Sequence, residues 1–141
     1  MEEQKFVIFQ LADQKYGMHL MRVNGIEQDY HIIPVPNAPE GINGIINLRG
    51  TVIPVYSLRE RFGMNPRIDN PGKSLLVTNS NGTLLAYEVD AVEEIEEVSK
   101  EWNLLCQFDI PSDTFKSLGV TNFKTKIMFF QRKIISQNIF K

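Results

Sequence analysis

Short apolar runs, rather than helical stripes, organise this chain. Lys5–Leu11, with Phe6, Val7, Ile8, Phe9 and Leu11, predicts an apolar-rich strand. Ala12-Asp13-Gln14 then predicts a turn and Lys15–Leu20 the returning strand. Ile32–Pro39 holds three prolines and cannot donate a full ladder, so it reads as a rigid connector or edge. Asn43–Leu48 and Thr51–Tyr56 form two strands around Arg49-Gly50, where Gly50 supplies the positive φ of a tight hairpin. Ser57 is placed to cap a short helix, Leu58–Phe62, with Leu58 and Phe62 on one face and Gly63 as its stop. Met64–Gly72 has linker composition. Beyond it, Lys73–Thr78 and Thr83–Val89 flank an Asn81-Gly82 hairpin signal, and Val92–Val98 reads as a further strand. Lys100–Phe115 shows no regular period, and Gly119–Lys124 with Lys126–Gln131 reads as a last hairpin.

Composition agrees with the pattern. Fifteen Ile, ten Val and six Thr stand against four Ala, a β-branched excess that predicts an all-β or β-dominated domain. At 141 residues, 43% hydrophobic and 23% charged, the chain belongs with globular domains that need no staple. Its net charge of −2 offers no large positive field for duplex DNA. A single cysteine, Cys106, excludes an internal disulfide and a multi-cysteine zinc site. No apolar signal region follows Met1-Glu2-Glu3 and no run approaches 20 apolar residues, so the expected compartment is the cytoplasm.

An internal repeat adds architecture. Gly44–Val52 aligns with Gly119–Ile127 at a constant offset of 75, and Val23-Asn24-Gly25-Ile26 resembles Val92-Glu93-Glu94-Ile95 at an offset of 69. One reading is two strand-rich halves of about 70 residues forming two small barrels with a groove along their seam. The other is chance similarity between β-hairpins.

Catalytic patterns are scarce. His19 and His31 belong to no metal-ligand spacing, and no phosphate loop, nucleophile elbow or dinucleotide fingerprint occurs. A Cys106–His dyad has no local support, and Cys106 reads as ordinary packing. The acidic run Glu88, Asp90, Glu93, Glu94, Glu96, Glu97 and Glu101 lacks the order of a calcium loop and reads as a solvated face or docking patch. Residues 114–141 carry Lys116, Lys124, Lys126, Arg132, Lys133 and Lys141 with no acid. Only Phe123 sits among those charges, too few rings for a stacking track. Two patches of opposite sign suit steering between proteins.

Gly41–Phe62 is the most informative stretch. Its Arg49 stands beside a glycine turn at a rigid tip, a guanidinium suited to protein recognition. The same geometry also fits an exposed arginine with no partner.

Here the chain resembles the CheW family of bacterial chemotaxis adaptors. The family pattern of Gly-Val-x-Asn-Leu-Arg-Gly, a proline-bearing apolar strand, Asp-Leu-Arg and Phe-Gly is met by Gly44–Gly50, Pro54, Leu58-Arg59 and Phe62-Gly63. Phe6–Leu11, Tyr16-Gly17, Ile33–Pro39 and Val89-Asp90-Ala91-Val92 match further family segments. The likeness is strong over residues 5–63, moderate to about 98 and weak beyond. Departures include Asn24-Gly25 where a glutamate is common after Val23, Ser57 in place of Asp, and a divergent second half from Trp102 onward.

The resemblance implies an all-β fold of two SH3-like β-barrels about a pseudo-twofold, with short helices. It implies one CheW-like domain over 1–141, with subdomains of about 1–66 and 67–141. It further implies a non-enzymatic adaptor without cofactor or metal, cytoplasmic and recruited to membrane receptor arrays. The adaptor joins the cytoplasmic tip of chemotaxis receptors to the regulatory domain of the histidine kinase CheA, without nucleic acid or direct membrane insertion. By position, Val23, Gly44 and Arg49 match receptor-contacting residues, with Asn47 shaping the turn. Competing expectations are a CheW-like module of another two-component pathway, a small β-barrel nucleic-acid binder using the basic C-terminal half and, last, a hydrolase built on Cys106.

Overall fold

The computed structural model describes residues 5–65, 73–80, 82–97, 102–110 and 125–132. Among these residues ten strands follow in order: β1 (Lys5–Leu11), β2 (Gln14–His19), β3 (Val23–Glu27), β4 (Ile42–Leu48), β5 (Thr51–Ser57), β6 (Ser74–Ser80), β7 (Thr83–Val89), β8 (Ala91–Glu97), β9 (Trp102–Ile110) and β10 (Thr125–Arg132). A 3₁₀ turn, Leu20–Arg22, precedes β3, and one helical turn, α1 (Leu58–Arg61), follows β5. The strands make two five-stranded sheets, β8-β1-β2-β10-β9 and β3-β6-β7-β5-β4. The all-β class read from the sequence is the class observed.

The apolar runs are explained by burial on both faces. In β1, Val7, Phe9 and Leu11 enter a core that also takes Leu76, Leu85, Tyr87 and Val89 from the other sheet. The alternate residues Phe6 and Ile8 enter a separate cluster with Trp102, Met128 and Phe130. The second sheet does the same, sending Leu76 inward and Leu75 and Val77 to a cluster with Ile46, Ile53 and Val55. Successive strand residues point to opposite faces, so a strand with two apolar partners reads as an unbroken run. Tyr16 ties the shared core together, with ring centroids 5.9 Å from Phe9, 5.5 Å from Phe62 and 5.0 Å from Phe129.

The two sheets repeat one another in strand order. Strand β1 starts at residue 5 and β6 at residue 74, an offset of 69 that also relates β2 to β7, while β3 and β8 start 68 apart. With β10 set against β5 and β9 against β4, the first sheet reads in the same sequence as the second. The direction differs at one seam: β2 meets β10 antiparallel, whereas β5 meets β7 parallel. Each hairpin, β1–β2 or β6–β7, lies between strands contributed by the other half of the chain. Along the chain, the second sheet takes β3 to β7, and the first takes the other described strands.

Several local readings need correction. Trp102–Ile110, within the stretch read as irregular, is a nine-residue edge strand paired to β10. Five consecutive residues, Asn103–Gln107, are exposed there, which erases the alternation that would announce a strand. Strand β3 also escaped recognition, because it is short, contains Asn24-Gly25 and has a register shift between Val23 and Gly25. The expected hairpin arm Gly119–Lys124 lies outside the described residues, as do most of the linker and the second copy of the Gly44 repeat; β10 pairs with β9 and β2. The helix is confined to Leu58–Arg61, with Ser57 Oγ accepting from the Glu60 amide at 3.3 Å as a cap should.

Candidate protein-docking site

The β4–β5 hairpin carries the leading site residues. Leu48 pairs with Thr51, leaving Arg49-Gly50 as a two-residue turn with φ of +53° and +89°. Positive φ at both positions is the type I′ geometry whose twist matches the flanking strands. Glycine takes it freely, whereas an L side chain there is strained by about 1–2 kcal/mol. The turn is locked by Asn47, whose side-chain oxygen accepts from the Gly50 amide at 2.8 Å. An equivalent bond, Gly82 amide to Asn79 Oδ1 at 2.9 Å, locks the β6–β7 turn. Arg49 itself is exposed and has no side-chain partner among the described residues. Asn47 thus shapes the turn, and among the described residues the guanidinium at its tip has no partner.

Gly44 sits lower on β4, buried, with φ of +152°. A Cβ there would lie 2.3 Å from the Ile33 carbonyl oxygen. The connector is pinned at that point by reciprocal backbone bonds between Ile33 and Ile45, of 2.8 and 2.9 Å. The close approach that requires glycine is therefore the chain's own proline-rich connector. Val23 is half-buried against the shared core at the start of β3, the opposite edge strand of the same sheet. The fold thus brings Asn47 and Arg49 together, sets Gly44 behind them and leaves Val23 on the far edge.

Beside the tip lies a shallow, mainly apolar groove of about 410 Å³ lined by Val35, Ile45, Thr51, Val52, Pro54 and Leu84, among others. Val52 is 59% exposed, a β-branched side chain left in water on a strand face. Sequence reading passed over this groove because its residues come from three separate segments.

A second polar constellation lies inside. Arg59, in α1, donates from Nε and Nη2 to the two carboxylate oxygens of Asp90, both at 2.8 Å, and from Nη1 to the Asn65 carbonyl at 2.6 Å. Asp90 also accepts from the Ala12 amide at 2.8 Å, while its own amide donates to the Gln10 carbonyl at 3.0 Å. It stands between β7 and β8, where the chain crosses from one sheet to the other. The fork therefore ties helix, crossing point and β1–β2 turn in one node, and its hydrogen bond holds the Arg59 guanidinium above its ordinary pKa. Nearby, Glu88 accepts from Tyr30 at 2.6 Å and Asn43 at 2.9 Å, with Lys73 at 3.8 Å. Burial and the bond to Glu88 push the Tyr30 hydroxyl far above its usual value.

These contacts divide the acidic run. Glu88 and Asp90 are internal ties rather than members of a solvated face, whereas Glu93 and Glu94 are exposed and Glu93 pairs with Lys15. Of the basic C-terminal stretch, only residues 125–132 are described. Cys106 is exposed on β9 rather than packed, and has no histidine partner among the described residues. No grouping of His, Cys, Asp and Glu able to hold a metal occurs among the described residues. No helix of the described residues is long and apolar enough to cross a membrane.

The comparison with known proteins decides the family. A model of the CheW-like domain matches residues 5–105. The chain belongs to the CheW-like domain family. This CheW-like chain is similar to the chemotaxis protein CheW of Klebsiella aerogenes, 28% identical over 98 residues, covering 70% of this chain and 59% of that protein. The CheW of Treponema pallidum is 31% identical over 104 residues, covering 71% and 61%. The CheW of Rhizobium meliloti is 30% identical over 115 residues, covering 82% and 74%. The matches thus span less than two thirds of the first two relatives. Among solved structures, the scaffolding protein TtCheW from Thermoanaerobacter tengcongensis superposes with a TM-score of 0.65 at 35% identity, covering 70% of this chain and 68% of that one.

Proposed function

We propose that this CheW-like protein is a non-enzymatic chemotaxis adaptor that couples chemoreceptor tips to the histidine kinase CheA in the cytoplasm, at membrane receptor arrays. The observation that carries this reading is Arg49, strained and without a side-chain partner among the described residues, on a turn fixed by Asn47 and Gly50, beside an exposed apolar groove. Strain held at an exposed corner, with no side-chain partner to offset it among the described residues, supports a role toward an external partner. The groove takes the apolar face of a receptor helix while Arg49 fixes its register through charge-assisted bonds to an acidic or carbonyl group. Asn47 keeps the tip rigid, Gly44 lets the connector back the strand, and Val23 contributes from the far edge. Relatives named chemotaxis protein CheW and the solved scaffolding protein support this reading.

Reconstitution tests it. Receptor cytoplasmic fragments and CheA are mixed with this protein, and receptor-controlled autophosphorylation of CheA is followed. The adaptor reading expects receptor control only when the chain is present. Receptor binding without any effect on CheA would instead assign the chain to another signalling pathway.

A further inference from the structure

A second cavity, of about 390 Å³, lies away from the Arg49 tip, and the described residues that line it are His19, Met21, Arg22 and Lys126. It forms where β2 ends in the 3₁₀ turn and β10 begins. Lys126 lies close enough to His19 that both line the cavity and its charge acts on the imidazole. The Phe6 ring packs on the imidazole with centroids 4.3 Å apart, which fixes its plane. Arg22 enters from the last position of the turn and has no ion-pair partner among the described residues. Among the described residues Lys126 pairs with Asp109 at 4.0 Å, with both side chains mostly in water. Met21 is 88% exposed, a large apolar side chain on the wall of a cationic cavity.

We propose that this cavity binds a small phosphate monoester with an apolar substituent, the phosphate held by Arg22 and Lys126 and the substituent laid on Met21. Two permanent cations match the charge of about −1.5 to −2 that a monoester carries at neutral pH, whereas one carboxylate would neutralise half of them. The guanidinium supplies a planar fork for phosphate oxygens, and the ammonium a point charge. The cavity volume lies within the range of about 300–1,000 Å³ usual for small-molecule sites. His19 completes the arrangement. Burial first, then the charges of Arg22 and Lys126, hold its pKa below the ordinary value, so the empty site disfavours a third positive charge. The charged groups acting on it among the described residues are Arg22 from the turn and Lys126 from β10, and the Phe6 ring of β1 packs against it. A bound dianion offsets both charges, and His19 takes up a proton and donates a further hydrogen bond.

The test uses phenyl phosphate as the probe, with inorganic phosphate and benzoate as comparisons, and follows binding by calorimetry and His19 by proton NMR. Phenyl phosphate is expected to bind more tightly than either comparison compound and to move the His19 titration midpoint upward. Arg22→Gln and Lys126→Gln, both surface changes checked by unchanged melting, are each expected to weaken binding about tenfold. Benzoate binding as tightly as phenyl phosphate overturns the proposal. So does affinity indifferent to both substitutions, or a His19 midpoint that ligand leaves unmoved in the wild-type protein.

Discussion

Two arginines ten positions apart, Arg49 and Arg59, flank β5 and live in opposite surroundings. Arg59 is largely buried, and its guanidinium is committed to Asp90 and Asn65, joining the helix to the crossing between sheets. Arg49 is exposed, strained and without a side-chain partner among the described residues. Both belong to the same family-like stretch of sequence, yet only one contributes to the fold. A motif residue that holds the fold reveals itself by saturated hydrogen bonding; one that does not leaves its donors free. This difference gives the two arginines separable phenotypes.

The largest expected effect lies at the internal node. Asp90→Ala leaves Arg59 without its carboxylate and Ala12 without its acceptor, a loss of about 3–5 kcal/mol that chemical denaturation would measure. An Asp90→Ala protein as stable as wild type would show that the node does not hold the sheets. Next comes Gly44→Ala, in which a methyl group meets the Ile33 carbonyl at 2.3 Å. Displacing the connector or straining β4 costs on the order of 1–3 kcal/mol, read as a lower melting temperature and faster amide exchange at Ile45.

Alkali probes the core that lies between the arginines. Tyr87 is fully buried and donates to Thr125 Oγ1 at 2.9 Å, and burial pushes its hydroxyl well above the ordinary value. Its folded pKa is the higher one, so the stabilisation is complete below the unfolded value near 10 and is lost as pH climbs toward the folded value. Melting temperature should therefore fall above about pH 10, with tyrosinate absorbance rising together with unfolding rather than ahead of it. The smallest effect on stability belongs to Arg49→Glu, which should change unfolding free energy by no more than about 0.5 kcal/mol.

Much of the fold was legible. The strands of β1, β2 and β4 to β7 follow from apolar runs bounded by turn chemistry, and the Ser57 cap and Gly50 turn from local residue preferences. The offset of 69 between Val23 and Val92 likewise marks two edge strands in matching places. What escaped were relations between distant segments. Nothing local tells Arg59 to choose Asp90 31 residues away, or tells each hairpin to lie in the sheet completed by the other half. Nor could the sequence distinguish Glu88, tied by Tyr30 and Asn43, from the exposed Glu94. At the tip, by contrast, Asn47, Arg49 and Gly50 form one local turn, and local chemistry was enough to find it.

The most direct measurement titrates a chemoreceptor-tip helical hairpin into wild-type protein and into Arg49→Glu, with the melting curve of each recorded alongside. Wild type should bind, and the variant should bind at least tenfold more weakly while melting at the same temperature. Equal affinity for both proteins would contradict the account and leave the corner guanidinium without its assigned role.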